Sequence, residues 1–344
     1  MNHNSRPSSR PSVSIVLLNW NRWHYTLACL ESLFRLDYPN YNVIVCDNNS
    51  SDGSMLRLRE WAAGRQPAPL PSVTELQPLV EPMVVKPIAV RELSRSEAES
   101  SERHPAVPLT LIQTGANLGF AGGCNVGVRY ALTQGMDYVW LLNNDTLATP
   151  DSLQSMVDYV QSHPDIGMCG STLLSLHHPS HVLALGGGRL RPSTGTTRHL
   201  GEGCHWPLSA QDAGSLAMQQ MDYVVGASML VSHSLLETVG LMDEGYFLYY
   251  EEIDWATRLP PRIRLGYAPL SVIYHREGGT TGGLARSHYY RSLIRFIWRR
   301  KRRYLPLVLA RMASRVPEAL LHRNWQELTA LLSLLRPRRI PDAG

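Results

Sequence analysis

The sequence predicts an α/β fold in which helices flank a mostly parallel sheet, because short apolar runs alternate with helical periodicity. Residues 13–18 form a β-branched and apolar run that is typical of a buried strand. Leu27, Leu30 and Leu33 then recur at helical spacing, and residues 42–46 form a second apolar run. This strand–helix–strand order is typical of parallel sheets, which bind ligands at the carboxyl ends of their strands.

The alternation continues to about residue 275. Further strands are predicted at residues 109–113, 138–142, 166–174 and 272–274, and helices at 125–134 and 150–162. Polar residues follow several of these strands, at the edge where an α/β sheet places ligand-binding side chains.

Composition divides the chain into four segments. Residues 1–12 are polar and are predicted to be a disordered N-terminal tail, and residues 13–285 form the α/β domain. Prolines interrupt every periodicity between residues 64 and 108, so this segment is predicted to be a mobile insertion in that domain. Residues 286–344 are arginine-rich and are predicted to form a basic helical C-terminal extension.

The overall composition excludes several classes of protein. With 344 residues, 44% hydrophobic and 18% charged, the chain is an ordinary globular protein. Its net charge of +4 is too small to indicate nucleic acid binding, so no nucleic acid partner is expected. The five cysteines lack metal-ligand spacing and are expected to be reduced thiols. No signal peptide or membrane-spanning run is recognisable, so a cytoplasmic location is predicted.

Two aspartates at strand ends are candidate ligand-binding residues. Asp145 ends the run Asn143-Asn144-Asp145 after a predicted strand, where Mg²⁺ or Mn²⁺ could bridge it to a diphosphate. Asp47 also closes a strand, and its carboxylate could accept a hydrogen bond from the imide N–H of uracil or thymine. The alternative for both is a structural role in a turn or helix cap.

A glycine-dense loop at residues 117–125 precedes a predicted helix. Bare backbone N–H groups at a helix N-terminus can bind phosphate, although the pattern is neither GxGxxG nor a P-loop. The alternative is close packing of the helix.

An acidic cluster and one histidine complete the candidate chemistry. Glu251, Glu252 and Asp254 follow a run of aromatic residues, and apolar surroundings with like-charge repulsion could raise one pKa enough for a general base. The alternative is a charged helix N-terminus. His275 ends the last predicted strand and could bind metal or phosphate, or be an ordinary core or surface histidine.

Residues 287–303 form an amphipathic segment. Tyr290, Leu293, Ile294, Ile297 and Trp298 lie on one helical face, and arginines surround them. This pattern fits a helix on an anionic bilayer surface and equally fits a helix docked on the catalytic core.

The motifs together resemble a known family. In order, they are residues 14–21, 45–54 (Val-Cys-Asp-Asn-Asn-Ser-Ser-Asp-Gly-Ser), 117–125, Asn143-Asn144-Asp145 and 249–254 (Tyr-Tyr-Glu-Glu-Ile-Asp). Their order resembles the inverting glycosyltransferase family 2, especially its bacterial rhamnosyltransferase-like members. The resemblance implies a GT-A fold, a Rossmann-like sheet with a nucleotide half and an acceptor half.

The resemblance also implies roles for individual residues. Asp145 would be the metal-binding carboxylate with His275 near the metal, and Glu252 would be the catalytic base supported by Glu251 and Asp254. The nucleotide-sugar site would comprise Asn19, Asn21, Asp47, Asn117, Gly119, Asn125 and Asn144, and the acceptor side would comprise Gly226, Ala227 and Trp255.

This chain departs from the family pattern twice. Its metal motif has one acid in place of two, which predicts modest metal affinity. Glu252 stands where the family often has Asp, which leaves the choice between Glu251 and Glu252 open.

The implied activity is inverting transfer of a sugar, with rhamnose as one candidate, from a UDP- or dTDP-linked donor to a saccharide or lipid-linked saccharide. The setting would be cell-surface polysaccharide synthesis at the inner face of the cytoplasmic membrane. A nucleotidyltransferase is the competing enzyme, but Asn19-Trp20-Asn21 lacks the basic phosphate-binding residue that it needs after the first strand. A catalytically silent nucleotide-sugar sensor or scaffold is the non-enzymatic alternative.

Overall fold

The computed structural model describes residues 10–208, 221–277 and 283–335. Through the first half of the chain, strands and helices alternate as β1 (Val13–Asn19), α1 (Trp23–Leu33), β2 (Tyr41–Asp47), α2 (Ser54–Ala62), β3 (Val90–Ser94), α3 (Arg95–Ala98), β4 (Leu109–Gln113), α4 (Gly119–Thr133), β5 (Tyr138–Asn143), β6 (Thr146–Ala148) and α5 (Ser152–Ser162). The predicted strands and helices of this half are therefore confirmed.

The second half adds strands first and helices last. It contains β7 (Ile166–Ser175), β8 (Val182–Leu185), β9 (Gly187–Arg191), β10 (Thr196–His199), β11 (Tyr223–Val224), β12 (Ser228–Ser232), α6 (His233–Val239), α7 (Glu251–Ala256), β13 (Arg264–His275), α8 (Gly283–Arg300), α9 (Leu305–Leu321) and α10 (Trp325–Leu332). The last strand begins at Arg264, eight residues before its predicted start, because its first part pairs in parallel with β7.

One ten-stranded sheet organises the chain, in the order β3-β4-β2-β1-β5-β12-β7-β13-β6, with β8 paired to β7. The pairs β1–β2, β1–β5, β2–β4 and β7–β13 are parallel, whereas β12 runs antiparallel between β5 and β7. A three-stranded sheet, β10-β9-β11, lies beside it. The predicted mostly parallel α/β fold is confirmed.

Both faces of the sheet are buried, because successive strand residues point to opposite sides. Ile15 and Leu17 of β1 pack with α1, α2 and α5, whereas Val16 packs with α4 on the other face. This explains why the strands contain continuous apolar runs and no polar alternation.

The C-terminal helices form a further hydrophobic cluster with the segment around Tyr246 and Tyr250. Tyr290, Leu293 and Ile297 of α8 are buried against Tyr246 and Tyr250. Of the two readings of the amphipathic segment, the structure therefore shows the docked helix for these residues. Within the described residues, no helix has both the length and the apolar character needed to cross a membrane.

The proline-rich insertion, which is predicted to be mobile, contains regular structure that the sequence analysis did not predict. Residues 90–94 form β3, which pairs in parallel with β4 at the sheet edge. Leu76 and Val80 are buried near the start of the insertion. The strand was not predicted because it lies at the edge of the sheet, in a segment where prolines and charged residues interrupt the apolar pattern.

The predicted N-terminal tail is wrong for its last residues. Ser12 donates hydrogen bonds from its backbone N–H and its hydroxyl to Asp137 Oδ2, and Tyr38 donates to the carbonyl of Pro11 at 2.6 Å. Because these contacts are polar, the apolar periodicity of the sequence does not indicate them. Residues 1–9 of that prediction, like residues 336–344 of the predicted extension, lie outside the described residues.

A buried carboxylate joins the insertion to the core. Glu31 of α1 is fully buried and accepts hydrogen bonds from Trp61 Nε1 at 2.8 Å, from Lys86 Nζ at 2.7 Å and from the Val84 backbone N–H at 2.8 Å. The Lys86 ammonium also lies 4.1 Å from the Trp61 ring centroid. The insertion thus supplies the nearest cation to Glu31, and Arg35 lies 3.7 Å from the other carboxylate oxygen.

We expect Lys86→Met to lower the free energy of unfolding by about 3 kcal/mol, because it leaves a buried carboxylate without its nearest cation. Urea denaturation measures this change. Arg65→Met, which breaks the more exposed ion pair with Glu60, is the matched control and should leave the free energy of unfolding close to that of the wild type. Equal losses in the two variants would show that the Glu31–Lys86 pair does not anchor the insertion.

Candidate functional site

The parallel register brings polar strand ends together at one edge of the sheet. Asn19 at the end of β1 is paired with Asp47 at the end of β2, and Asp47 with Gln113 at the end of β4. On the other side of β1, Leu18 is paired with Asn143 at the end of β5. The edge therefore gathers the predicted base-binding and metal-binding motifs.

Hydrogen bonds from its neighbours hold the carboxylate of Asp47. Asn19 Nδ2 donates to Asp47 Oδ1 at 2.7 Å, and the backbone N–H of Ser50 donates to Oδ2 at 3.0 Å. Asn21, with φ of 52°, accepts from the backbone N–H of Ser51 at 2.7 Å. Asn19 and Asn21 thus shape the loop around Asp47.

A cavity of about 180 Å³ opens beside this loop. Its lining includes Asp47, Asn49, Ser50, Ser54, Gln113 and Gly115. Asp47 lines this cavity although it is only 3% exposed, so the predicted contact with a nucleotide base would have to be made through the cavity.

The glycine-dense segment starts the helix α4 directly and does not form a loop before it. Gly119 has φ of 74° and is the first residue of α4, six residues before the predicted helix start. A side chain at Gly119 would collide with the carbonyl of Phe247. The glycines therefore allow close approach of the chain, because bare backbone replaces side-chain volume.

Asn117 and Asn125 serve this packing. Asn117 Oδ1 accepts from Asn48 Nδ2 at 2.9 Å and from the Gly119 N–H at 3.1 Å. Asn125 is 1% exposed, and its amide donates to the Met242 carbonyl at 2.9 Å. The side chain of Asn125 holds a neighbouring loop, which corrects the expectation that it lines an open nucleotide site.

Asp145 and His275, which the resemblance places near one metal ion, lie next to each other. His275 Nε2 lies 3.3 Å from Asp145 Oδ1 and 3.3 Å from Asn143 Nδ2. Both ionisable side chains are partly exposed, at 17% for Asp145 and 21% for His275. Asn144 faces inward and donates to Thr26 Oγ1 at 2.8 Å, so it supports the strand end.

These residues fit a divalent cation that has few protein ligands. Asp145 supplies a carboxylate oxygen and His275 an imidazole nitrogen, and Mn²⁺ or Mg²⁺ commonly completes its shell with water and substrate phosphate. No cluster of three or more His, Cys, Asp or Glu side chains occurs among the described residues. Asp145 and His275 therefore suit a metal site whose remaining ligands would be oxygen atoms of the substrate.

The acidic cluster lies at the start of helix α7, on strained backbone. Tyr249 and Tyr250, which precede it, have φ of 69° and 71°, a region that bulky residues rarely adopt. Tyr250 donates a hydrogen bond to the carbonyl of Gly195 and is 2% exposed, which holds this conformation. Such strain often accompanies functional side chains.

Glu251 and Glu252 differ in exposure. Glu251 is 4% exposed and lies near Cys124, whereas Glu252 is half-buried and lies beside Gly226. The Oε2 atom of each carboxyl has no hydrogen-bond partner among the described residues. The more accessible Glu252 is therefore the better placed of the two to meet a ligand.

Burial raises both carboxyl pKa values, because desolvation penalises the charged form. The pKa of Glu252 rises from 4.5 to about 7, and that of Glu251 rises well above its usual range, by burial and then by the negative charge of Glu252. Tyr223 and Tyr250 face Glu252 and have raised pKa values, so they remain neutral beside it. A carboxyl with a pKa near 7 suits a general base.

Asp254 is the anchor of helix α7. It is fully buried, and Arg300 of α8 donates to both of its oxygens, at 2.7 and 3.2 Å. Arg258 Nε lies 3.3 Å from Asp254 Oδ2. The expected supporting role of Asp254 is thus structural, since its oxygens bind arginines.

The acceptor-side expectation is corrected for two of its three residues. Trp255 is 1% exposed and donates to the Gly240 carbonyl at 2.8 Å, and Ala227 is 4% exposed in the core. Apolar periodicity cannot distinguish such core residues from pocket residues. A side chain at Gly226 would contact Phe120 and Glu252, so Gly226 lies next to the candidate base.

The loop before helix α7 is bonded from two sides. The Phe120 backbone N–H donates to the Phe247 carbonyl at 2.7 Å from α4, and Ser292 of α8 donates to the Leu248 carbonyl at 2.8 Å. Arg295 and Arg299 of α8 form ion pairs with Asp243 at 3.0 and 2.7 Å. Helix α8 therefore helps to position the segment that carries Glu252.

Three residues that orient this site are not among those predicted from the sequence. Asn48 is 2% exposed and donates to Asn117 and to the Gly119 carbonyl. Thr26 donates to Asn19 at 2.8 Å, and Asn143 contacts His275. The strand-end position was the available signal for Asn48 and Asn143, whereas nothing in the sequence distinguishes Thr26.

Comparison with known proteins is consistent with this geometry. Residues 14–69 and 99–181 match the family model for glycosyl transferase family 2. The unmatched stretch between them includes β3 and α3 and lies within the insertion.

Two curated relatives share about a quarter of the aligned residues. The chain is 27% identical over 169 residues to the low-salt glycan biosynthesis hexosyltransferase Agl10 of Haloferax volcanii, covering 48% of this chain and 51% of that protein. It is 26% identical over 202 residues to an N-acetylglucosaminyl-diphospho-decaprenol L-rhamnosyltransferase of Mycobacterium tuberculosis, covering 54% and 64%. The chain thus spans less than two thirds of the length of either relative.

Solved structures share the fold. The mannosyltransferase PcManGT from Pyrobaculum calidifontis, in complex with GDP-Man and Mn²⁺, matches with a TM-score of 0.53 at 17% identity, covering 95% of this chain and 86% of that one. GalNAc-T7 with UDP, GalNAc and Mn²⁺ matches with a TM-score of 0.51 at 11% identity, covering 83% and 48%. The chain therefore contains a segment, between residues 14 and 181, that matches glycosyl transferase family 2, and its fold is the GT-A fold of the solved glycosyltransferases.

Proposed function

We propose that the protein transfers a hexose or deoxyhexose, with rhamnose as one candidate, from a nucleotide-diphosphate sugar to an acceptor hydroxyl with inversion. The observation that carries the proposal is that Asp47 and the Asp145–His275 pair lie at the same edge of the sheet, on either side of β1, while Glu252 lies beside Gly226. The Ala227 carbonyl accepts from the Asn143 N–H at 3.0 Å, so one short segment links the neighbourhoods of Glu252 and Asp145.

The donor would bind along the carboxyl edge. Asp47 would accept a hydrogen bond from the base imide in the neighbouring cavity, which favours a UDP- or dTDP-linked donor. Asp145 and His275 would hold Mg²⁺ or Mn²⁺ against the diphosphate. When bound, this ion offsets the negative charge that develops on the leaving diphosphate.

Glu252 would act on the acceptor. Its carboxylate takes the proton from the acceptor hydroxyl while that oxygen forms a bond to the anomeric carbon and the bond from this carbon to the diphosphate oxygen breaks. A single in-line displacement inverts the anomeric carbon. The buried Glu251 stays protonated and neutral beside it, because its pKa lies well above the usual range.

The acceptor we propose is a saccharide or a lipid-linked saccharide in cell-surface polysaccharide synthesis at the cytoplasmic face of the membrane. One curated relative is named for a diphospho-decaprenol-linked acceptor. The basic C-terminal extension supports this setting, since positive charge favours contact with anionic lipid.

Replacing the base tests the catalytic assignment. Glu252→Gln should reduce release of nucleoside diphosphate from a panel of UDP-, dTDP- and GDP-sugars by about 100-fold or more, since general bases contribute that much. Donor binding should persist, because the side chain keeps its shape. Glu237→Gln, an exposed carboxylate on α6, is the matched control and should behave like the wild type. Unchanged turnover in the Glu252 variant would support a sensor or scaffold, or a different base.

The raised pKa of Glu252 predicts opposite effects of pH on activity and stability. kcat/KM should rise as pH increases through about 7, because the base must be deprotonated. The folded carboxyl binds its proton more tightly than the unfolded one, so the free energy of unfolding should fall between pH 4.5 and about 7. Glu252→Gln should remove up to roughly 3 kcal/mol of this fall.

Urea denaturation at pH 5 and pH 8 measures the stability effect. The variant should match the wild type at pH 5 and exceed it at pH 8. A variant that is no more stable than the wild type at pH 8 would mean that Glu252 carries no buried charge in the native protein.

A further inference from the structure

Helix α9 is apolar on two sides, and the protein covers one of them. Val308, Met312 and Ala319 are buried against α8 and the neighbouring core. A second set of residues, the α9 stripe, recurs at steps of three and four residues on another side and is exposed. The stripe consists of Pro306, Leu309, Ala310, Ala313, Pro317, Leu320 and Leu321.

The exposed fraction of the stripe is large for apolar side chains. Leu309 is 44% exposed, Leu320 52% and Leu321 79%. A helix that is apolar on both sides is expected to bury both, and a contiguous exposed apolar surface marks an interaction site. None of the described residues covers this surface.

Tryptophan and arginine stand at both ends of the stripe. Before α9, Trp298 is 51% exposed, and the Arg302 guanidinium lies 4.1 Å from its ring centroid. After α9, Trp325 is 62% exposed and Arg323 is also exposed. Apolar residues between Trp and Arg are typical of a helix that lies in the interface of a bilayer, since both end groups favour the headgroup level.

The positive charge of the C-terminal extension favours an anionic partner. Residues 286–344 contain 14 Lys or Arg and 3 Asp or Glu, whereas residues 1–285 contain 19 and 26. The extension is therefore strongly positive although the chain as a whole is nearly balanced. Two copies packed through this surface would bring like charges together, whereas an anionic bilayer would attract the extension.

We propose that the α9 stripe is the surface by which this protein binds an anionic membrane, with α9 lying in the plane of the interface. On the amphipathic face of α8, which the sequence also suggests for this role, Tyr290, Leu293 and Ile297 are buried in the protein core and Trp298 is exposed. The inference rests on the proposed function for its purpose, because membrane binding would bring the enzyme to a lipid-linked acceptor. Binding to vesicles requires neither donor nor turnover.

Vesicle co-sedimentation of the full chain tests the inference. The wild type should bind vesicles of phosphatidylcholine and phosphatidylglycerol at low salt, bind pure phosphatidylcholine less, and lose affinity as salt increases. Leu309→Gln/Leu321→Gln should reduce binding by about 10-fold or more, since two apolar anchors are lost. Leu270→Gln, which replaces a 63% exposed leucine on β13, is the matched control and should bind like the wild type.

Two further measurements separate the remaining outcomes. Light scattering after size exclusion would overturn the inference if the wild type were a dimer that Leu309→Gln/Leu321→Gln separates, because the stripe would then bind a second copy. The inference also fails if the double variant and the wild type bind vesicles equally. Thermal stabilisation by donor sugars, measured on the same samples, reports the proposed function independently of vesicle binding.

Discussion

The register of the parallel strands is the constraint on which the site depends. Because β1 pairs with both β2 and β5, Asn19 lies beside Asp47 on one side and the Asn143-Asn144-Asp145 segment follows on the other. A shift of one residue would turn each of these side chains to the opposite face of the sheet. The buried apolar residues on both faces prevent that shift, so packing of the core also positions the polar edge.

A second constraint acts on the segment between residues 243 and 254. Helix α4 approaches it closely at Gly119, where a side chain would collide with the Phe247 carbonyl. Helix α8 binds it through Arg295, Arg299 and Arg300, which pair with Asp243 and Asp254. This segment contains the strained Tyr249–Tyr250 backbone and Glu252, whose pKa is raised by burial. The C-terminal extension is thus part of the site as well as a candidate membrane surface.

The sequence predicted the sheet and its polar edge well, because apolar periodicity and strand-end polarity are local signals. The resemblance to the family implied that Asp145 and His275 lie near one metal ion, and the two side chains are 3.3 Å apart. The direction of buried side chains could not be predicted. Trp255, Ala227 and Asn125 lie near the expected motifs, but their side chains point into the core, and only tertiary packing decides that.

Long-range partners were also beyond the sequence. Nothing local indicates that Asp254 pairs with Arg300, that Glu31 pairs with Lys86, or that residues 90–94 join the sheet edge. For the same reason the amphipathic face of α8 could be read equally as a membrane surface or as a docked helix. The structure separates these readings because it shows α8 buried and the stripe of α9 exposed.

The central claim is that Asp47 and Asp145 bind the two ends of a nucleotide diphosphate. Thermal unfolding with UDP-, dTDP- and GDP-sugars, with and without Mn²⁺, tests it most directly on the wild type, Asp145→Ala and the exposed control Asp37→Ala. One donor class should raise the Tm of the wild type and the control by a few degrees only with Mn²⁺, and Asp145→Ala should lose that gain. Absence of stabilisation by every donor, or the same metal-dependent gain in Asp145→Ala, would contradict the account.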